Sequence, residues 1–553
     1  MIHVDCYVID LSHFPIWASA TDKIFNSLNC KQLVHKQDST FSLLTTLKQD
    51  CIAKMMSPIS QMKAPEHAPF PKLSSTQIEE NVLPQLNQWA LSNGLIMADK
   101  DSGNTAKVAP TTVFPTPVPV KVFEKAKALQ KTYNQLYAQI SNSDWLKEET
   151  EKLVHSDPDF TGKLLSMAKK TESKQTLKMG LFRSDYLIDQ KTEEIKQVEF
   201  NTVSVSFAGL STKVGEMHSF LNSLGAYDAS GEMKMFYEGM GELPVSESSV
   251  FMTRGLARGF TMYQSINPET KKEKAVVAFI VEPNETNLYD QKAIEFNLLR
   301  LYGIKSIRLT FEEALTDVEY SSFDDNKRLV HKKTGKELAV VYYRTGYTTK
   351  DYYSENCWKA REFLETGYAI KAPTLDVQLA GAKKIQQLLT QDEILSKFVD
   401  NDETKKELAQ TFVKIYPLDD SPLGKEGKKL ALAGESSKKQ YVLKPQREGG
   451  GNNVYKSDIP KFLKTLDEKD WDSYILMELI DVKPSTENYL VRDGKLTKEP
   501  VISELGIYGT ILFDHESIRS NEYAGSLLRT KPSSSNEGGV VAGFGTVDSM
   551  CLV

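Results

Sequence analysis

Cysteine is scarce: five in 553 residues, namely Cys6, Cys30, Cys51, Cys357 and Cys551. The number is odd and no Cys-x-x-Cys pair occurs. A disulfide-stapled secreted domain and a cysteine-held zinc site are both disfavoured, and a reducing compartment fits best. Long apolar runs are also missing. The longest, Ala275–Val281, is far short of the roughly 20 residues that cross a bilayer, so a soluble chain is expected. Arginine is absent before Arg183, and the early residues carry several acids, which makes a mitochondrial transit peptide a poor match. Neither sign of charge dominates. The 68 Lys and Arg against 74 Asp and Glu leave a formal net charge of −6, with no general pull toward nucleic acid or acidic lipid.

Missing motifs narrow the chemistry. There is no GxxxxGK[ST] phosphate loop, no HRD or DFG kinase string and no Gly-x-Ser-x-Gly elbow. No histidine falls in the glycine-rich or arginine-bearing stretches described below, which disfavours a Ser–His triad.

What is present is ordinary globular composition, 40% hydrophobic and 26% charged, long enough for three or four structural units. Residues 1–68 read as a variable extension. Gln77–Asn93 has the apolar spacing of an amphipathic helix, and helical sequence runs from about Val122 to Ser173. From Gly180 the pattern becomes α/β. Gly180–Leu187 and Lys196–Ser206 are strand-like, and Lys274–Val281 reads as a strand buried on both faces. Tyr289–Leu301, Ser306–Phe311 and Glu337–Tyr343 complete a βαβ pattern, so residues 274–380 are expected to form a small parallel-sheet domain. It would be inserted between main-body residues 69–273 and a nucleotide-binding part, 381–553. The strands of that last part are less regularly separated by helices, which suggests an antiparallel sheet. Gly424–Gln440, rich in Lys and Gly, reads as a mobile loop.

The most informative stretch is Lys444-Pro-Gln-Arg-Glu-Gly-Gly-Gly-Asn-Asn-Val-Tyr455. Gly449, Gly450 and Gly451 allow positive φ and close approach, so their N–H groups can wrap a phosphate. Lys444, ending an apolar strand, could reach phosphate oxygens. Glu448 would repel phosphates unless a cation lay between them, which points to Mg²⁺. Alone, the triple glycine equally suits a surface hairpin. In Gln197–Ser206, period two puts Glu199 and Asn201 on one face, a pair of oxygen donors suited to Mg²⁺ or simply to solvent. Arg183, Arg344 and Arg529 each end a strand, where a guanidinium can grip a carboxylate or phosphate, or merely a surface acid. Glu537–Gly545 is a second glycine-rich loop able to close over a ligand. Together these suit phosphoryl chemistry on a carboxylate, in which positioning and charge neutralisation supply most of the catalysis.

The strings KPQREGGGNN, QVEFNTVSVSFAGL, LFRSDYLID, YYRTGYTTKDY, QLAGAKKIQQ, YILMELI, ISELGIYG and LLRTK…NEGGVVAGFG, in this order from about residue 70 to the end, resemble the eukaryotic-type glutathione synthetase family. The resemblance implies an α/β (mixed α+β) ATP-grasp fold with antiparallel sheets, helices and Gly-rich lid loops. The activity implied is ATP-dependent ligation of γ-glutamylcysteine to glycine through an acyl phosphate, in a cytoplasmic homodimer using two Mg²⁺ per site, with no nucleic-acid or membrane partner. It implies Glu199, Asn201 and Glu448 as metal ligands and Arg183, Lys444 and Arg529 as catalytic groups. ATP would meet Glu199, Lys383, Lys444, Glu448, Gly449, Gly450, Gly451, Asn453, Tyr455, Met477, Glu478, Leu479, Ile480, Glu504, Lys531 and Glu537. Some relatives have the shorter Asp at the last of these. The peptide and amine substrates would meet Arg183, Val203, Ser204, Val205, Ser206, Glu285, Asn287, Gln291, Arg344, Tyr347, Arg529, Val540 and Val541. A sister ligase using β-alanine, a silent nucleotide-binding scaffold and a kinase are the alternatives.

Overall fold

Alternating side chains from Lys178 onward build the strand on which the main sheet is assembled. The computed structural model describes residues 70–553 except 100–101, 438, 447–451, 483–486, 537 and 542. The extension expected over residues 1–68 lies outside the described residues. In chain order, α1 (Val120–Ser141) precedes β1 (Lys178–Ile188) and β2 (Ile195–Asn201). Next come α2 (Ala208–Ser223), α3 (Ser248–Ile266), β3 (Ala275–Ile280), α4 (Leu288–Tyr302), β4 (Ser306–Leu309), β5 (Lys336–Tyr343) and β6 (Ile370–Ala372). After α5 (Lys383–Leu389) follow β7 (Ile415–Pro417), α6 (Pro422–Ala433), β8 (Tyr441–Pro445), β9 (Val454–Tyr455) and β10 (Tyr474–Glu478). The chain ends with β11 (Glu487–Arg492), β12 (Lys495–Phe513), β13 (Ile518–Pro532), β14 (Thr546–Asp548) and a last short strand, Met550–Leu552.

A 13-stranded mixed sheet carries most of these strands. The long hairpin β12–β13 is antiparallel, and β1 pairs antiparallel with β12 on one side and β2 on the other. The same sheet continues through Lys371 opposite Lys178 into parallel β6, β5, β3 and β4. Every residue of β3 is buried, as its unbroken apolar sequence requires of a strand covered on both faces. A separate four-stranded antiparallel sheet has the order β7–β10–β8–β9. This mixed architecture with an antiparallel C-terminal sheet agrees with the fold class expected from the sequence.

Three local expectations change. The strand expected to reach Ser206 stops at Asn201, because Ser204 and Phe207 take positive φ (51° and 73°) and turn the chain into α2. Ser306–Leu309 ends early because Thr310 caps a helix, its hydroxyl accepting from Glu313 N at 3.2 Å. The Lys/Gly-rich stretch is not a loop at its start: Pro422–Ala433 is helical, capped by Ser421, whose hydroxyl accepts from Gly424 N. Its glycines allow contact rather than flexibility. A Cβ on Gly427 would stand 2.4 Å from Pro417 O, and one on Gly424 2.2 Å from Asp419 O.

Candidate active site

β2 is anchored from behind by Phe200. Its ring is buried and stacks on Tyr137 of α1 at 3.9 Å between centroids, with Phe182 at 5.3 Å. That anchor turns Glu199 and Asn201 the other way, toward a cleft of about 380 Å³ between the two sheets. Their pairing partners on β1 are Asp185 and Arg183, so four polar side chains share one sheet face. The register skips one residue between Gln197 and Glu199, which leaves Val198 in a bulge. The Val198 carbonyl then accepts from Lys444 Nζ at 3.2 Å and from Gln386 Nε2 at 3.2 Å. Bulges commonly re-aim groups beside functional clefts. Strict alternation conceals this one, and only the pairing register reveals it.

Opposite β2, Lys444 is the penultimate residue of β8, and Lys383 opens α5 and donates to Glu199 Oε2 at 2.8 Å. Burial favours the neutral form of Glu199. The charges of Lys383 and Lys444, the Lys383 hydrogen bond and the charge of Arg529 outweigh it and hold the carboxyl well below its ordinary range. Arg529 of β13 reaches both Glu504 and Asp185. Arg183 grips Asp185 with two parallel hydrogen bonds of 2.6 and 2.8 Å. The cleft is completed by Asn453, Tyr455, Met477–Ile480 and Lys531, and by Gly538–Val541. Lys531 Nζ donates to Asn536 O at 2.7 Å.

The Val203–Ser206 turn joins this cleft to a second cavity of about 370 Å³. Both cavities are lined by Ser206, Tyr347 and Val541. Buried Asp290 fixes the turn by accepting from Phe207 N, Gly209 N and Leu210 N at 2.7–3.2 Å. Arg344 donates to Val205 O and to Ser206 Oγ (2.8 Å), while the Tyr508 hydroxyl donates to Ser206 O at 2.5 Å. The second cavity is lined by Arg344, Glu282, Glu285 and Asn287. Glu285 is oriented by Asn287 N at 2.7 Å and Gln291 Nε2 at 2.6 Å. Arg344 offers a cationic side and Glu285 an anionic one, with the carboxyl of Glu282 beside them, which suits a zwitterionic amino-acid end.

The residues expected at the site therefore gather in two joined cavities: Arg183, Glu199, Asn201, Val203–Val205, Lys383, Lys444, Asn453, Tyr455, Met477–Ile480, Glu504, Arg529, Lys531 and Val540 in the first, Glu285, Asn287 and Arg344 in the second, and Ser206, Tyr347 and Val541 in both. Gln291 lines neither and sits behind Glu285. Glu448, Gly449, Gly450, Gly451 and Glu537 lie outside the described residues. The sequence reading missed Asp185, Asp290 and Tyr508. Asp185 carried a usable signal, an acid two residues from Arg183 on the same strand face; the other two are brought in by folding from distant segments.

Among the described residues no group of three or more His, Cys, Asp or Glu is placed to hold a metal ion. Glu199 is held ionised, and Asn201 donates its amide N–H to Asp185 Oδ2 at 3.0 Å, which leaves its carbonyl oxygen as the available donor. Two hard oxygens facing a cleft fit Mg²⁺, which usually takes few protein ligands and completes its shell with water and phosphate.

The family profile described as eukaryotic glutathione synthase, ATP binding domain, matches residues 76–552. The chain belongs to the eukaryotic glutathione synthase family. Glutathione synthetase large chain from Schizosaccharomyces pombe is 36% identical over 507 residues, 87% of this chain and 99% of that protein. Glutathione synthetase from Homo sapiens is 34% identical over 489 residues, 86% and 98% of the two chains. The apoform structure of a glutathione synthetase like-effector from Globodera pallida matches with a TM-score of 0.66 at 22% identity, over 87% of this chain and 98% of that one. That likeness bears on the fold alone. Among the described residues no helix is long and apolar enough to cross a membrane.

Proposed function

We propose that this glutathione synthase family member is an ATP-dependent ligase that joins γ-glutamylcysteine to glycine, releasing ADP and phosphate. One observation carries the reading: a cleft lined by Glu199, Asn201, Lys383, Lys444, Arg183 and Arg529 shares Ser206, Tyr347 and Val541 with a second cavity that holds Arg344 and Glu285. The Met477–Ile480 and Lys444–Tyr455 segments would hold the nucleotide. Glu285, Asn287 and Arg344 would hold the γ-glutamyl end, leaving the cysteinyl carboxylate to extend through the Ser206 passage toward the phosphates.

A carboxylate is a poor acceptor for an amine. Its oxygen first attacks the γ-phosphorus as the bond to ADP breaks, giving an acyl phosphate. Lys383 and Lys444 offset the charge on the transferring group. Mg²⁺, when bound by Glu199 and Asn201 with Glu448 as a third ligand, would neutralise phosphate oxygens further. The glycine nitrogen then attacks the acyl carbon, loses a proton, and phosphate departs. Arg183 and Arg529 would steady the oxyanion and the glycine carboxylate. The glycine-rich sequences at 447–451 and 537–545 would help exclude water, which would otherwise hydrolyse the acyl phosphate. Residues 274–380 would serve the dipeptide and residues 381–553 the nucleotide.

We further propose two Mg²⁺ per site and a cytoplasmic homodimer. The described cysteines, Cys357 and Cys551, are free and buried, which suits a reducing compartment. ADP release measured with each substrate omitted in turn tests the reading. Release should require both γ-glutamylcysteine and glycine. Release supported better by β-alanine points to the sister ligase, and a stable phosphorylated product points to a kinase.

A further inference from the structure

Asp185 lines neither cavity and is wholly buried on β1. Its carboxylate nevertheless organises three groups that do line the cleft. Oδ1 accepts from Arg183 Nε at 2.6 Å. Oδ2 accepts from Arg183 Nη2 at 2.8 Å, Arg529 Nη2 at 2.9 Å and Asn201 Nδ2 at 3.0 Å. One carboxylate thus joins guanidinium groups from β1 and β13 to the amide of Asn201 on β2. Without it, Arg183 would lose the carboxylate it grips and Arg529 would keep only Glu504, while the two guanidinium groups disfavour each other's charge.

The backbone reserves room for this junction. On β12, Gly506 pairs with Asp185, and a Cβ there would lie 3.0 Å from both Arg183 Cδ and Asp185 Oδ1. A buried ion pair adds little stability over an apolar replacement, so stability is a weak reason for building one. A directional reason is stronger. The two parallel bonds from Arg183 fix its guanidinium plane, and the bond from Asn201 decides which amide atom faces the cleft.

We propose that Asp185 is a positioning residue for ligation. It sets the Arg183 and Arg529 planes against the acyl centre and turns the Asn201 carbonyl toward the phosphate side. The inference rests on the ligase reading above. It gives Asp185 no contact with substrate, so its effect must pass through the two arginines and Asn201.

The test compares wild type with Asp185→Asn, Arg529→Ala and the double variant, measuring kcat and KM for each substrate and the affinity for an ATP analogue. Asp185→Asn keeps the shape but loses charge, and kcat should fall about 100-fold, the scale of a 1 Å misplacement. Analogue affinity should stay within about threefold. Because Asp185 acts partly through Arg529, the double variant should lose much less than the product of the single losses. Wild-type kcat in Asp185→Asn, or losses that multiply, overturns the proposal. If Asp185→Asn does not fold, Gly506→Ala crowds the same junction from the neighbouring strand; a folded Gly506→Ala with reduced kcat supports it and one with full kcat overturns it. A wild-type protein without glycine-dependent ADP release removes the ligase reading itself, an outcome visible before any variant is compared.

Discussion

Lys383 and Glu199 meet across the cleft, ammonium to carboxylate, at 2.8 Å. The pair links the first residue of α5 to β2 and helps hold Glu199 in its charged form, the form the proposed Mg²⁺ site requires. Glu199→Gln should therefore lower kcat by about 100-fold or more and raise the Mg²⁺ concentration needed for half-maximal rate. A magnesium titration at saturating substrates measures both. An unchanged magnesium requirement would remove Glu199 from the metal site.

Arg344 has a double duty, lining the second cavity while holding the Val205 and Ser206 backbone turn. Arg344→Ala should raise the KM for γ-glutamylcysteine at least about tenfold and leave the KM for ATP within about threefold. Initial-rate kinetics decide. A large kcat loss with an unchanged dipeptide KM would move Arg344 from binding to catalysis.

Glu282 supplies a pH prediction. Burial first, then the nearby carboxylates of Asp351 and Glu285, push its carboxyl from 4.5 up to about 7. Asp351 faces it while accepting from Gly346 N and Tyr347 N, each at 2.8 Å, and so anchors the loop that carries Tyr347. Between about pH 4.5 and 7 the folded protein keeps a proton that the unfolded chain has lost, so this group's contribution to stability declines as pH rises through that window and is flat above it. Glu282→Gln cannot titrate. Its melting temperature relative to wild type should rise from pH 5 to pH 7 and then level off. A constant difference across that range would contradict the assignment.

The α6 helix offers a stability test against its own sequence. Helix propensity says Gly427→Ala should stabilise by about 1 kcal/mol. The packing says the reverse, since the new methyl would stand 2.4 Å from Pro417 O and 2.8 Å from Tyr416 Cβ. The expected outcome is a loss of about 1–3 kcal/mol in urea unfolding.

The same helix shows what sequence reading could and could not see. The strand-like pattern of β1, the unbroken apolar run of β3, the helical pattern of α4 and the period-two cleft face of Glu199 and Asn201 were legible because these signals are local. Gly424 and Gly427 read as loop residues, and only the chain packed beneath them explains their place in a helix. The Val198 bulge escaped for a similar reason: it is a register between two strands, invisible in either alone. Asp290 caps α2 from 81 residues away and Tyr508 reaches Ser206 from 302 away, so neither leaves a short-range signature.

The central claim is that the dipeptide's cysteinyl carboxylate is phosphorylated before glycine attacks. It is tested most directly with γ-glutamylcysteine carrying ¹⁸O in that carboxylate, incubated with ATP, Mg²⁺ and glycine. An acyl phosphate requires one carboxylate oxygen to leave with phosphorus, so mass spectrometry should find ¹⁸O in the released phosphate in proportion to peptide formed. Phosphate free of ¹⁸O, alongside newly made tripeptide, would contradict the account.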